Sequence, residues 1–328
     1  MAEQTGLRLV DKDEDGVATA FSEDVLAGLS QPQKAIPARW FYDDAGSRLF
    51  EDITQLPEYY PTRAETEILQ ARGADFAELI GPGRAVVEFG SGSSVKTPLL
   101  LSAIDPSAYV PLDISGDFLR ASAAELSGKF PGLPVHPVEA DFTLPVTLPD
   151  AVAGTPKLGF FPGSTIGNMV ARTAVDLLRS MRDTLGTDAM LLIGMDLIKD
   201  EGTLTAAYDD AAGVTARFNR NLLTRINREL DGTIPEAAFA HEARWNDTYA
   251  RIEMHLVARE KVSFTVAGEH FAMAAGESIH TENSHKFDRR SQYTLLLAGR
   301  WTPLARWTDA AGQFSLILAR ATIPRSAP

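Results

Sequence analysis

Residues 86–94 read VVEFGSGSS, an apolar run that ends in a turn with two glycines, Gly90 and Gly92, ahead of a helical segment. Glycines at a strand-to-helix turn let the backbone approach a ligand closely, and the helix start offers free N–H groups. Such turns also close strands that bind no ligand. The stretch therefore predicts a buried strand followed by a helix, but it does not decide whether a ligand binds there.

Short apolar runs alternate with helical segments through the following hundred residues. The runs cover residues 85–89, 109–114, 135–139, 158–162 and 189–195. The clearest helix between them covers residues 173–185. Because this alternation is typical of crossover units, it predicts a parallel sheet covered by helices.

The segments on either side of this region have different patterns. We predict helices over residues 62–80, 204–230 and 286–298, and strands over 251–258, 262–271 and 314–321. The first helix is expected to start with a capping box, in which Thr62 and Glu65 satisfy the free N–H groups. The second is continuous apart from Gly213.

Together these patterns predict an α/β fold, a Rossmann-like doubly wound parallel sheet with a second, smaller α+β lobe that binds substrate. The expected divisions are a flexible tail (1–20), an N-terminal segment that joins the substrate lobe (21–60), the cofactor-binding domain (61–200), the substrate lobe (201–285), and a return to the first domain with a C-terminal tail (286–328).

Composition excludes several classes of protein. The 328 residues are 45% hydrophobic, which is enough for a folded core, and the formal net charge of -13 opposes binding to nucleic acid. The chain has no cysteine, so disulfides, thiolate metal sites and cysteine nucleophiles are excluded. The six histidines lack metal-binding spacing such as H-E-x-x-H, and no metal site is predicted.

The chain also lacks the patterns of membrane and secreted proteins. No apolar run approaches the roughly 20 residues that span a bilayer. The acidic cluster of Asp11, Asp13, Glu14 and Asp15 is unlike a secretory signal. We expect a soluble cytoplasmic protein with a small-molecule partner.

Polar side chains at the ends of the first three strands describe an adenosine pocket. Asp113 lies at the end of the second strand, where a carboxylate can accept hydrogen bonds from both ribose hydroxyls. Asp141 and Phe142 follow the third, where an acid can hold the adenine amino group and an aromatic ring can stack on the base.

The glycine turn indicates which adenosine compound this pocket would hold. The dinucleotide fingerprint G-x-G-x-x-G requires a third glycine, and Val95 stands at that position. S-adenosylmethionine therefore fits better, with Lys96 able to pair with its carboxylate. A solvated Lys96 on the helix surface is the other reading.

Motifs outside this pocket form a recognisable set, which resembles the histidine Nα-methyltransferases of ergothioneine biosynthesis. The resemblance covers residues 20–322 and rests on the stretches at 58–63, 160–168, 208–215, 218–221, 251–254 and 281–287. It implies trimethylation of the α-amine of L-histidine to hercynine, with three molecules of S-adenosylmethionine used in succession. The substrates would be L-histidine and its mono- and dimethyl forms, with a monomeric enzyme.

The resemblance also implies roles for individual residues. Those implied to bind the cofactor are Gly90, Ser91, Lys96, Asp113, Asp141 and Phe142. Those implied to bind or line the site for histidine are Tyr59, Gly163, Asn168, Tyr208, Thr215, Phe218, Met254, Glu282 and Ser284. Tyr42, Tyr59 and Asn168 are the catalytic candidates, and we assign them to orientation of the amine.

These residue types suit the chemistry. Neutral imidazole has one donor and one acceptor, which Glu282 and Ser284 can satisfy from one face of an extended segment. A polar helix cap is the competing interpretation of that segment. Three alternative functions stay open: methylation of another free amino acid such as tryptophan, a non-catalytic adenosine-ligand sensor, and a nicotinamide oxidoreductase.

Overall fold

The computed structural model describes residues 14–92, 96–114 and 116–322. These residues form three β-sheets, of seven, four and two strands. The helices are α1 (Glu14–Leu29), α2 (Asp44–Thr54), α3 (Tyr60–Ala71), α4 (Gly73–Ile80), α5 (Thr97–Ile104), α6 (Gly116–Lys129), α7 (Ala171–Leu185), α8 (Glu201–Tyr208), α9 (Val214–Glu229) and α10 (Arg289–Ala298). The strands are β1 (Lys34–Ala35), β2 (Ala85–Phe89), β3 (Ala108–Asp113), β4 (Val138–Glu139), β5 (Lys157–Phe161), β6 (Met190–Asp196), β7 (Phe239–Asn246), β8 (Arg251–Ala258), β9 (Val262–Val266), β10 (Glu269–Met273), β11 (Ser278–His285), β12 (Trp301–Thr308) and β13 (Phe314–Ala321).

The seven-stranded sheet has the order β12-β13-β6-β5-β2-β3-β4. Strands β2 to β6 are parallel, and β13 enters antiparallel between β6 and β12. The chain moves outward from β2 to β4 and then returns to β5 on the other side of β2. In such sheets the ligand crevice lies beyond the carboxyl ends of the strands, where the strand order reverses. The prediction of an α/β fold with a doubly wound sheet is confirmed.

Both faces of this sheet are buried. Val86 and Val87 of β2 point to opposite faces and both have no exposed surface, and Phe160 and Phe161 of β5 repeat the arrangement. Apolar packing against helices on both sides explains why these strands have continuous rather than alternating apolar patterns. The five predicted runs correspond to β2 to β6, although the third shrinks to Val138–Glu139.

The four-stranded sheet has the order β1-β11-β8-β7 and packs against α8 and α9. Its core includes aromatic residues from the N-terminal segment, such as Phe41, whose ring lies 4.6 Å from that of Phe218. Residues 1–13 of the predicted tail lie outside the described residues, and α1 begins at Glu14. No helix within the described ranges is both long and apolar enough to span a membrane.

Two predicted helices are divided in the structure. The helix over 62–80 begins instead at Tyr60, with a proline in its first turn, and a new helix starts at Gly73. The capping box is wrong because Glu65 is buried and binds other groups. The stretch 204–230 is divided because the Asp210 carboxylate accepts hydrogen bonds from the N–H groups of Val214 and Thr215 and so starts α9.

Two other predicted elements differ from the structure, and one strand was not predicted. The helix over 286–298 starts at Arg289, since Asp288 and Ser291 form a capping box there. The strand over 262–271 is a hairpin that turns at Ala267 and Gly268, both with positive φ. Strand β12 was not predicted, and it contains Pro303. It is an edge strand, with a register shift at that proline.

Candidate active site

A cavity that is partly open to solvent lies between the two larger sheets. Helix α2, the loop after β5, helices α8 and α9, and strands β8 and β11 all contribute to it. Its lining residues are Tyr42, Phe50, Ile53, Tyr59, Gly163, Ser164, Thr165, Asn168, Ala207, Tyr208, Thr215, Phe218, Met254, Glu282 and Ser284. The structure thus brings together every residue that the resemblance implies for the substrate. Sequence reasoning missed Phe50 and Ile53, although Phe50 belongs to an aromatic-rich segment.

One wall of the cavity is aromatic. The Phe50 ring lies 5.7 Å from Tyr42, 6.2 Å from Tyr59 and 6.1 Å from Phe218. Burial, reinforced by the nearby Glu282 carboxylate, raises the pKa of both Tyr42 and Tyr59 well above the usual value for tyrosine. These phenols therefore stay neutral and act as hydrogen-bond donors rather than as bases.

The opposite wall carries the carboxyl group of Glu282. Strand β11 presents Glu282 beside Met254 of β8, and a register shift between His280 and Glu282 adjusts the strand just before it. The Asn168 Nδ2 atom donates a hydrogen bond to Glu282 Oε1 at 3.0 Å. Burial raises the pKa of Glu282 to about 7, although Lys286 and Asn168 oppose the shift. The competing interpretation of residues 281–284 as a helix cap is wrong, since they lie within β11.

Next to Glu282 the two hydroxyl groups of Tyr208 and Ser284 lie 2.7 Å apart. Lys286 Nζ donates to both, at 2.9 Å and 2.8 Å, and pairs with Asp196 Oδ2 at 2.8 Å. The Lys286 side chain is fully buried. Sequence reasoning missed both Lys286 and Asp196.

Asp196 ends strand β6 and is shared by two lysines. Lys199 Nζ bonds to Asp196 Oδ1 at 2.6 Å, and Tyr60 donates to Oδ2 at 2.7 Å. Although burial acts to raise it, the pKa of Asp196 is held below its usual value by Lys286 and Lys199. The Asp196 carboxylate is therefore ionised and anchors both lysines.

The predicted cofactor residues meet at the carboxyl ends of β2, β3 and β4. Gly90 has a φ of 74°, and a side chain there would approach the Phe142 ring to 3.3 Å. Gly92 N–H donates to Asp113 Oδ2 at 3.1 Å, and a side chain at Gly92 would meet no atom of the described residues within 4 Å. A carboxylate, an aromatic ring and an open backbone turn thus lie together, as an adenosine compound requires.

The other predicted cofactor residues surround this group. The Asp141 carboxylate accepts a hydrogen bond from Thr143 N–H at 2.9 Å and lies 3.7 Å from Arg39 Nη1. Ser91 is buried beside the turn. Residues 93–95 of the turn lie outside the described residues.

Lys96 pairs with Glu65, a residue that sequence reasoning placed in a capping box. Glu65 is fully buried and also accepts a hydrogen bond from Gly163 N–H at 2.9 Å. A side chain at Gly194 would come within 2.5 Å of the Glu65 carboxylate, so glycine is needed there. Glu65 therefore joins the cofactor side of the crevice to the substrate cavity through Lys96 and Gly163.

Glu253, His255 and His280 bring possible ligand atoms within 4.8 Å of one another, a grouping that spacing along the chain did not indicate. The His255 ring nitrogens bond to Ser278 and Glu253, and His280 Nε2 bonds to the backbone oxygen of Glu282. Arg251 also binds Glu253. These three side chains support β8 and β11 beneath the cavity.

Comparison with known proteins identifies the kind of enzyme. A family model described as a histidine-specific, SAM-dependent methyltransferase matches residues 21–321. The chain belongs to this family. The predicted S-adenosylmethionine cofactor is confirmed, and the alternatives of a nicotinamide oxidoreductase and a ligand sensor are not favoured.

Individual relatives are similar in sequence to this methyltransferase along nearly the whole chain. It is 41% identical to a histidine N-alpha-methyltransferase of Mycolicibacterium smegmatis over 315 residues, which cover 93% of this chain and 96% of that relative. The enzyme of the same name from Mycobacterium tuberculosis is 41% identical over 312 residues, with the same coverage. A 4-dimethylallyltryptophan N-methyltransferase of Claviceps purpurea is 24% identical over 330 residues, covering 92% of this chain and 95% of that relative.

Proposed function

We propose that this methyltransferase transfers three methyl groups in succession to the α-amine of L-histidine and so forms hercynine. The observation that carries the proposal is a single cavity with a carboxyl and hydroxyl pair on one wall and an aromatic cage on the other. The proposed ligands are L-histidine and its mono- and dimethyl forms. Cytoplasmic location and a monomeric state remain predictions from the sequence.

The polar wall suits an imidazole ring. Among the described residues, the Glu282 carboxyl group has one hydrogen bond, from Asn168 to Oε1, so Oε2 is available to accept from a ring N–H. The hydroxyls of Tyr208 and Ser284 lie beside it and can donate to the other ring nitrogen. An indole ring could donate its N–H to Glu282 but has no ring acceptor for the hydroxyl pair, which disfavours tryptophan and similar acceptors.

The aromatic wall suits the amine. Tyr42 and Tyr59 stay neutral, and Asn168 offers an amide, so these groups orient the nitrogen and do not take its proton. Aromatic faces attract cations, so a cage containing Phe50 and Phe218 tolerates a nitrogen that becomes quaternary after the third transfer.

When bound, S-adenosylmethionine supplies a methyl group on a sulfonium. With that group bound, the α-ammonium group would lose a proton to water, and the free amine would accept the methyl group, with the electrons of the S–C bond going to sulfur. The residues of the cavity align the nitrogen with the methyl carbon, and such positioning can supply roughly 7 to 11 kcal/mol of the barrier. We propose that Asp113 holds the ribose, that Phe142 and Asp141 hold the adenine, and that Lys96 faces the carboxylate.

A competition assay tests this choice of acceptor. Purified enzyme is given S-adenosylmethionine with equal concentrations of L-histidine and L-tryptophan, and each methylated product is quantified by mass spectrometry. We expect methylated histidine to exceed methylated tryptophan by a factor of about 10⁴, as for a site whose hydrogen-bonding groups would lose a partner in the competing ring. Equal methylation of both amino acids would contradict the proposal.

A further inference from the structure

The polar wall of the cavity is built on the buried ammonium group of Lys286. Its three protons match three acceptors within 2.9 Å: Asp196 Oδ2, Tyr208 OH and Ser284 Oγ. Since the side chain has no exposed surface, no solvent competes for these bonds. Both hydroxyl oxygens must therefore accept a hydrogen bond from Lys286.

This constraint fixes how many protons the hydroxyl pair can offer to a ligand. Tyr208 and Ser284 carry two hydroxyl protons, and the 2.7 Å separation uses one of them for a bond within the pair. One proton remains, and both residues line the cavity. The pair therefore acts as a single hydrogen-bond donor beside Glu282, which acts as an acceptor.

We propose that Lys286 is a positioning residue that makes the Tyr208–Ser284 pair a donor, and that the cavity therefore selects the neutral imidazole of histidine in one tautomer. The inference rests on the proposed function. A neutral ring donates from one nitrogen to Glu282 and accepts from the hydroxyl at the other. An imidazolium would place an N–H against a hydroxyl oxygen that already accepts from Lys286, and would add a second cation.

The charged groups around Lys286 support this assignment. Asp196 compensates the buried ammonium group but is shared with Lys199. Within the described residues, Glu282 is the only charged side chain that lines the cavity. Lys286 acts on Glu282 as well, since its positive charge opposes the rise in the Glu282 pKa caused by burial. Lys286 thus makes the hydroxyl pair a donor to one ring nitrogen and favours an ionised Glu282 as the acceptor for the other.

Lys199 provides a matched control. It binds the other oxygen of the same carboxylate, Asp196 Oδ1, at 2.6 Å and contacts Tyr60 OH at 2.6 Å. It is not among the residues that line the cavity. Lys199→Met and Lys286→Met each remove one cation from Asp196, but only the second removes the bonds to Tyr208 and Ser284.

The decisive measurement uses the unaltered enzyme. L-histidine labelled with ¹⁵N in the imidazole ring is bound together with S-adenosylhomocysteine, and the two ring-nitrogen shifts are measured by NMR near pH 8, where Glu282 is ionised and free neutral imidazole averages its two tautomers. We expect one protonated and one unprotonated nitrogen. Two protonated nitrogens, or two averaged signals, would overturn the inference.

The variants test the role of Lys286 itself. We expect Lys286→Met to raise the histidine KM at least tenfold with a smaller change in kcat, and to average the two ¹⁵N signals. Lys199→Met should change the KM by less than about threefold and keep the two signals distinct. Urea unfolding shows whether both variants fold. If Lys286→Met does not fold, the ¹⁵N spectrum of the unaltered enzyme still tests whether histidine binds as one neutral tautomer.

Failure of this inference is distinguishable from failure of the proposed function. If both variants fold and have the same histidine KM and the same ¹⁵N spectrum, Lys286 has no positioning role, although histidine is still methylated. If the unaltered enzyme neither binds nor methylates histidine, the proposed function is overturned together with this inference.

Discussion

Asn168 Nδ2 lies 3.0 Å from Glu282 Oε1, although the two residues are separated by 114 positions in the chain. Asn168 ends the turn that follows β5 of the seven-stranded sheet, and Glu282 lies on β11 of the four-stranded sheet. Their hydrogen bond therefore joins the two sheets across the floor of the cavity. It also orients the carboxyl group that we propose binds imidazole.

Removal of this carboxyl group should weaken histidine binding. We predict that Glu282→Ala raises the histidine KM tenfold or more, on the order of 1.4 kcal/mol or above, and leaves the Kd for S-adenosylmethionine unchanged. Glu269→Ala, at an exposed position on β10, is the control and should have no effect. Steady-state kinetics with an unchanged histidine KM in Glu282→Ala would remove Glu282 from the site.

The same carboxyl group should make stability depend on pH. Burial raises the pKa of Glu282 from 4.5 to about 7, so the folded protein keeps a proton that the unfolded chain loses between these values. The free energy of unfolding therefore falls as pH rises through this window and stays lower above pH 7.

Glu282→Gln removes this titration. We expect the variant to gain stability relative to the unaltered protein between pH 5 and pH 8, by about 2 kcal/mol, measured by urea unfolding without ligands. A stability difference that does not change with pH would contradict the shifted pKa.

Asp113 should act on the cofactor rather than on histidine. It ends β3 and accepts a hydrogen bond from Gly92 in the turn that faces the crevice. We predict that Asp113→Ala raises the Kd for S-adenosylmethionine at least tenfold with little change in the Kd for histidine, both measured by calorimetry. Asp188→Ala, at an exposed site, is the control. The reverse pattern would refute the ribose role.

The buried pair of Lys96 and Glu65 should contribute to stability. Lys96→Met leaves the fully buried Glu65 carboxylate without its cation, and loss of one partner of such a pair costs about 3 kcal/mol. The double variant Glu65→Gln, Lys96→Met should recover at least half of that loss. Lys129→Met, which breaks an exposed pair with Glu125, should change the unfolding free energy by less than about 0.5 kcal/mol.

A double-mutant cycle measures these changes in the free energy of unfolding, with urea as the denaturant. If Lys96→Met and Lys129→Met are equally destabilising, the Glu65 carboxylate does not depend on Lys96. In that case the only remaining role of Lys96 is in cofactor binding.

The parallel sheet could be predicted because each strand is a local feature of the sequence. The run at 85–89 matches β2 at both ends, and the acid after β3 led directly to Asp113. By contrast, the helix over 204–230 was predicted as one element because its apolar periodicity continues past the break. The interruption noted at Gly213 is the N-cap of α9, with a φ of 68°, and the capping bonds from Asp210, which start α9, depend on the local fold of the chain.

The missed residues of the site are those whose partners are distant in the chain. Lys286 was interpreted as a helix residue, since nothing near it in sequence reveals the pair with Asp196. A signal for Asp196 was present, because it is an acid at the end of a parallel strand, as Asp113 is. Glu65 matched a capping pattern by spacing, and only the contacts with Lys96 and Gly163 show its place between cofactor and substrate.

Mass spectrometry of L-histidine after incubation with purified enzyme and excess S-adenosylmethionine shows whether histidine is the methyl acceptor. We predict that histidine gains one, two and then three methyl groups on its α-nitrogen, with the trimethylated product accumulating at the end. Histidine of unchanged mass, in a reaction where an unrelated acceptor becomes methylated, would contradict it.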